Sequence, residues 1–574
     1  MIIDEKHAQE SNIMKRRDFL KFACATGALA AFRPAFSRAA RQSLRERYSE
    51  YLDPIVSKWR TEEDIVDAWD WSLPPDVSPA ERSAVKTWGQ MPGGFRGNSL
   101  GGLNWNWRKI EPEEGRYDFE SMKKAIRRAA RGHHGLELHV RASVWTLRGF
   151  PNEGEYPPNW IERNKTRNAS APRWLEKYDI PLVEERPKMN LSTPFQIVNM
   201  DLYHPDYHTR YLRMVEALGQ SGIPEMDEIM FVMVHFKSGT RGEEAGGAWP
   251  IERDSREGRV LDERLRAWSR AFDNVHHKLC WVGHAGWPLD LAYELGMGQR
   301  NGFVEMYMMH ADNPQLGQRL EDGYLVTDES LPPIAENRAF GDENEEYSPN
   351  AHVPRFGPIS TWPHRYRESM LRALQMRRNF LWAEGNPWVN PALLSYVGLE
   401  LGRNVRDAPD AWCYLRESYI GPDRKPPRPV KNFERWLHQR DREGFETEPA
   451  VKVDVPDTQR AHHRDRKYDY IARRGNRIGF TLDKRFLSGG PHRVAVKITY
   501  HDTGTGRWSL VYGGSDGEKK RAVACHDTGK IRTATFFLED AHFPDRGNDY
   551  DLRIVAEEGK ATVSFVRVVK IKRR

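Results

Sequence analysis

The chain has 574 residues, of which 39% are hydrophobic and 30% charged, and its formal net charge is +6. That is the balance of a chain that folds in water, and its length exceeds what one core usually serves, so two domains are expected. No basic run interleaves with aromatic residues, which excludes a nucleic-acid-binding face.

At the N-terminus, Lys15-Arg16-Arg17-Asp18-Phe19-Leu20-Lys21 precedes an apolar run over residues 22–32, closed by Arg33 and Pro34 and followed by small residues at 37–40. The run is far shorter than the roughly 20 residues needed to span a bilayer, so residues 1–40 read as a removable twin-arginine signal peptide. The expected location is periplasmic or secreted, and the twin-arginine translocase is the expected partner in export. No other segment is apolar enough to anchor the chain in a membrane. Residues 1–39 hold seven Lys/Arg and four Asp/Glu, leaving +3 on the remainder. Cys280, Cys413 and Cys525 are too far apart for metal-ligand spacing; one bridge between two of them stays open, but folding in a reducing cytoplasm before export favours three buried thiols.

Residues 41–84 read as helical or irregular. From 85 to 421, short apolar runs alternate with amphipathic stretches, the pattern of strands each followed by a helix. Strands are predicted at 85–88, 103–107, 136–145, 229–236, 279–284, 303–309, 333–336 and 380–383. Eight is the number an α/β TIM barrel requires. Residues 422–450 open with the proline-rich stretch Gly421-Pro422 to Pro429 and read as a linker. Beyond it, 451–574 is read as an all-β, jelly-roll-like sandwich, with strands at 494–500, 508–512, 533–538, 551–555 and 561–569 separated by glycine turns.

In such a barrel, functional groups stand where strands end. The carboxylates that qualify are Glu243 and Glu244, in a glycine-rich stretch after the fourth strand, together with Glu305, Glu336 and Glu384. Two carboxylates from different strands can protonate a leaving oxygen and attack or activate water on the other face of a sugar ring. Tryptophans near predicted strand ends offer flat apolar faces to pyranose C–H groups, with Trp107, Trp145, Trp382 and Trp388 the candidates. The His204 and His208 pair has helical metal spacing, but Pro205 makes His204 the residue before a helix, so no metal site is expected. No phosphate loop, CxxC pair or nucleophile elbow occurs, and no cofactor is expected.

The passage Trp105-Asn106-Trp107-Arg108-Lys109-Ile110-Glu111-Pro112-Glu113-Glu114-Gly115-Arg116-Tyr117-Asp118-Phe119 resembles one found after the second strand of β-galactosidase-like and agarase-like barrel glycoside hydrolases. In that clan an acid/base glutamate ends strand four and a nucleophile ends strand seven. The resemblance implies a retaining glycoside hydrolase with Glu243 or Glu244 as acid/base and Glu336 as nucleophile. Glu384 is the rival to Glu336, and Glu305 and Glu384 otherwise bind substrate. One departure is Gly242, where many members carry Asn. The C-terminal part, around Tyr500 to Tyr512, resembles the sandwich modules of polysaccharide-degrading enzymes, which implies carbohydrate binding and admits a structural calcium. The expected substrate is a polysaccharide or its oligosaccharides. A non-catalytic glycan-binding protein on a degenerate barrel and a polysaccharide lyase stay open as alternatives.

Overall fold

The computed structural model describes residues 53–87, 91, 93–148, 169–185, 196–234, 251–282, 286–301, 317–344, 359–383, 391–420, 428–454, 468–545, 547 and 549–572. Residues 1–40, read as a signal peptide, lie outside them. Among the described residues no helix is long and apolar enough to cross a membrane.

Eight parallel strands form a TIM barrel in chain order: Ala84–Thr87, Leu100–Asn106, Gly135–Arg141, Ile229–Val234, Leu279–Val282, Gly298–Asn301, Phe340–Asn344 and Phe380–Ala383, called strands one to eight below. Strand eight pairs with strand one, and a bridge from Val85 to Ser99 joins strand one to the approach of strand two. Pairing thus runs around the whole ring, as barrel closure demands. Strand four is apolar on both faces because each face is covered. Its Phe231 and Met233 enter the barrel interior, where Phe231 stacks on Phe380 at 4.1 Å. Ile229, Val232 and Val234 instead meet the outer helices, among them Pro205–Gly219 and Arg256–Ala271. The second of these helices starts where the sequence caps it, with Ser255 Oγ accepting from the Gly258 amide at 3.0 Å.

One expected strand is displaced, and another lies outside the described residues. The sixth barrel strand is Gly298–Asn301, residues 303–309 lying outside the described residues, and the seventh comes late, at Phe340–Asn344 rather than 333–336. Pro332–Ala335 is a short helix with proline in its first turn, a position where the missing N–H costs nothing. The expected third strand, 136–145, splits at Arg141. Val144–Arg148 pairs with Gln196–Met200, which pairs with Leu182–Glu185, giving a three-stranded antiparallel insert beyond strand three.

The sandwich is larger than expected. Its first layer runs Arg428–Arg435, Asp410–Ile420, Ala561–Lys570, Gly489–His501, Ile531–Phe543, and its second runs Leu437–Gln439, Arg477–Leu482, Leu552–Ala556, Arg507–Gly514, Gly517–Ala524. Alternation along Gly489–His501 sends Val494, Val496, Ile498 and Tyr500 into the core between the layers. Part of the stretch read as linker is therefore sheet, because Pro429 sits in a strand whose other residues still pair. The sheet begins at Asp410, inside the range assigned to the barrel. Residues 53–76 also depart from the helical or irregular reading. Asp64–Val66 adds to the sheet edge beside Ile531–Phe543, and Asp70 reaches Lys497 Nζ at 2.6 Å on the layer's outer face.

Glu434, in the first layer, is buried with Arg440 Nη1 donating to both its oxygens at 2.8 Å and His438 Nδ1 at 3.1 Å. Burial pushes its carboxyl up, but Arg440 and His438 outweigh it and hold the carboxyl at about 2, against an ordinary 4.5. A depressed carboxyl stabilises the fold above its unfolded value, and that stability is lost as pH falls from 4.5 through 2. Glu434→Gln is expected to lower stability at pH 7 by about 3 kcal/mol, with the gap to the parent closing toward pH 2. Urea midpoints across that range check this; a gap independent of pH would refute it.

Candidate active site

The C-terminal ends of the barrel strands form the mouth. Below it, apolar side chains including Phe231, Met233, Cys280 and Phe380 fill the interior. Level with Phe231 and Met233 in the strand register, the interior also carries polar groups. Strand three places Glu137 and His139 on the face opposite its outward-packed Leu136, Leu138 and Val140. Lys86 Nζ lies 3.4 Å from both Glu137 oxygens, and His139 Nε2 is hydrogen-bonded to Glu137 Oε1. Lys86 Nζ also stands 4.2 Å from the centre of the Trp382 ring, and the Arg300 guanidinium 4.4 Å from it. Opposite Lys86, Gly102 has no side chain, and a Cβ there would come within 3.1 Å of the ammonium. Burial pushes the Glu137 carboxyl up, but Lys86, His139 and Arg300 outweigh it and hold it below the usual carboxylate range. One row higher, Asn104 pairs in register with His139, is open to solvent, and accepts from Arg141 Nε at 3.0 Å. The mouth thus offers the ammonium of Lys86, the guanidinium of Arg141 and the amide of Asn104 over the buried His139, Arg300 and Glu137, a set suited to hydrogen-bonding a polyhydroxylated ligand.

Of the residues singled out from sequence, Glu243, Glu244, Glu305, Glu384 and Trp388 lie outside the described residues. Glu336 does not end strand seven. It caps the helix Pro332–Ala335 ahead of that strand, with its side chain 58% exposed and Arg338 Nε donating to it at 2.7 Å. Arg338 in turn donates to the carbonyls of Tyr293 and Met297, which precede strand six, so Glu336 stands at the barrel end opposite the mouth. Trp107 is not a substrate platform either. It is fully buried, packs edge-on against Tyr207 at 5.5 Å, and donates through Nε1 to Glu111 Oε2 at 2.7 Å. The other Glu111 oxygen accepts from the Gly115 amide at 2.7 Å, where φ is 77°. The Glu-Pro…Gly passage is a structural turn. Trp382 is buried between cations, whereas Trp145, half-buried on the inserted sheet, has the Arg173 guanidinium 4.3 Å over its ring.

Sequence reasoning passed over Lys86, Glu137 and His139. The available signal was the alternation in Gly-Leu-Glu-Leu-His-Val-Arg, which puts Glu137, His139 and Arg141 on one strand face. Among the described residues, one group of imidazole and carboxylates converges within 4.8 Å: His364, Glu368 and Asp469, between barrel and sandwich. Arg416 occupies it, with Nη2 donating to Asp469 Oδ1 at 2.6 Å and Nε lying 3.1 Å from Glu368 Oε2. The group is completed by a protein cation, and its two carboxylates and one imidazole fall short of the six to eight oxygens calcium prefers. The helical histidines also part company: His204 precedes the helix, and His208 Nε2 bonds Glu263 at 2.6 Å.

No protein-family model and no curated protein matches the sequence. Among solved structures, the chain is similar to an exo-β-1,4-mannosidase from Opitutaceae bacterium strain TAV5, at 12% identity and TM-score 0.26, over 52% of this chain and 48% of that one. It spans about half the mannosidase's length. It is also similar to endo-glycoceramidase II from Rhodococcus sp., solved as a lactosyl-enzyme intermediate, at 11% identity and TM-score 0.26, over 82% of this chain and 89% of that one. A third is a β-L-arabinopyranosidase from Geobacillus stearothermophilus, at 10% identity and TM-score 0.30, over 80% of this chain and 96% of that one.

Proposed function

We propose that the chain is an exported glycoside hydrolase acting on a polysaccharide or its oligosaccharides without a cofactor. Its acid/base is Glu243 or Glu244, after strand four. Its second carboxylate is Glu343, near the end of strand seven, in place of Glu336. The observation that carries this reading is the register of strand seven. Position 343 pairs with Trp382 of strand eight and shares a strand face with Gly341, whose absent Cβ would lie 2.4 Å from the Phe380 ring in the barrel interior. Alternation therefore favours the interior face, near the mouth, for position 343. A retaining outcome follows if the two carboxyls stand about 5 to 5.5 Å apart. Export by the twin-arginine route brings the enzyme to a polymer it would not meet in the cytoplasm. For the sandwich we propose glycan binding. Its support is a cavity of about 240 Å³ lined by Glu518 and Arg553 of the second layer, His542 of the first and Tyr550 between strands, where donors and acceptors of hydroxyl hydrogen bonds stand together.

The test is release of reducing ends from a panel of β-mannan, xylan, agarose, κ-carrageenan and pectin. Hydrolysis of one member is expected, lost by on the order of 10²-fold or more in either Glu243→Gln or Glu244→Gln. Binding without cleavage would favour the degenerate barrel, and unsaturated products absorbing in the ultraviolet would favour a lyase.

A further inference from the structure

We infer that Glu137, deep in strand three, is a positioning residue of the barrel mouth, acting through His139 and Lys86 on the substrate; this rests on the hydrolase reading above. Four observations converge on it. First, Glu137 is fully buried inside the barrel, where an ionised carboxylate costs far more than the apolar residue that otherwise fills this layer. Stability alone gives no reason for a charge there. Second, it holds two partners at once, His139 Nε2 and Lys86 Nζ. A carboxylate can only accept, so Nε2 must carry the proton; in the neutral ring this assigns the acceptor role to Nδ1. Third, the partners approach the mouth from different strands. His139 stands in register with solvent-open Asn104, and Lys86 with Trp382, the strand-eight neighbour of position 343. One buried anion thereby sets the orientation of an imidazole and an ammonium on strands one and three. Fourth, the adjoining strand makes room for the arrangement at Gly102, whose Cβ would press on the Lys86 ammonium.

Orientation from beneath is what a group without substrate contact can supply. Outer partners of this kind contribute roughly 10- to 100-fold where they have been removed beneath metal ligands, and a similar range is expected here.

A double-mutant cycle on the full chain separates positioning from structure, with turnover read on the panel polysaccharide that the parent cleaves fastest. Glu137→Gln keeps an acceptor for His139 but removes the charge opposite Lys86. Its kcat is expected to fall about 10- to 100-fold with KM changed less than about threefold. Adding Lys86→Met removes the unpaired cation and is expected to restore the melting temperature without restoring kcat. Recovery of kcat together with stability would overturn the inference, as would a Glu137→Gln enzyme with parental turnover. The ring nitrogen-15 shifts of His139 give an independent readout. They are expected to report protonated Nε2 in the parent and a tautomer mixture in Glu137→Ala; an unchanged tautomer would also overturn it. Failure of the hydrolase reading is distinguishable, because the parent would then release no reducing ends.

Discussion

Glu343→Gln is expected to lower turnover by on the order of 10³-fold or more, while Glu336→Gln leaves it within about twofold. The two glutamates lie on opposite ends of the same barrel segment. Glu336 precedes strand seven, more than half exposed and ion-paired to Arg338, an exposed-side contact whose loss costs less than about 1 kcal/mol. Glu343 stands in the strand itself, beside Trp382 and one residue from its C-terminal end. A single methodical comparison of kcat on the cleaved polysaccharide, with melting temperature as the check on folding, decides between them. Loss of activity in Glu336→Gln with retention in Glu343→Gln would reverse the assignment and leave the barrel topology as its only casualty to explain.

The displacement of strand seven from 333–336 to Phe340–Asn344 shows what was and was not legible in the sequence. Strands four, five and eight are continuous apolar runs, and the sandwich strands alternate cleanly, so both were visible. Strand seven, Phe-Gly-Asp-Glu-Asn, departs from an apolar run because Asp342 is buried in an ion pair with Arg378. Burial pushes Asp342 up to about 6 even with Arg378 beside it. Such a strand reads as a solvated acidic run, and the nearby Pro-Pro-Ile drew the strand away although it starts a helix. Functional strands of a barrel exchange apolar pattern for chemistry, so apolarity finds the scaffold and misses the site. Glu137 and His139 were hidden for the same reason. The sheet begun at Asp410 was hidden for another: its outer face is buried against the barrel through charged groups, Arg416, Arg435 and Arg567, that sequence alone assigns to solvent.

Those charges set the second large effect, expected for Arg416→Ala. Helix Trp362–Gln375 of the barrel presents His364 and Glu368, and the sandwich presents Arg416 and Asp469. All four are almost completely buried. The guanidinium spans the two carboxylates, one from each side, and His364 Nε2 lies 3.1 Å from Asp469 Oδ2. Burying the four costs desolvation that their mutual attraction only offsets, so the cluster adds little net stability while intact. Removing its cation is different: two carboxylates are left close together in a buried interface with one imidazole between them. A loss of about 3 to 5 kcal/mol is expected, seen as a lower denaturant midpoint and as separate barrel and sandwich transitions in calorimetry. Because Arg416 already supplies the positive charge, a chelator is expected to leave the parent's melting temperature unchanged. Destabilisation of the parent by chelator, with Arg416→Ala near parental stability, would instead make the cluster a metal site and Arg416 incidental to it.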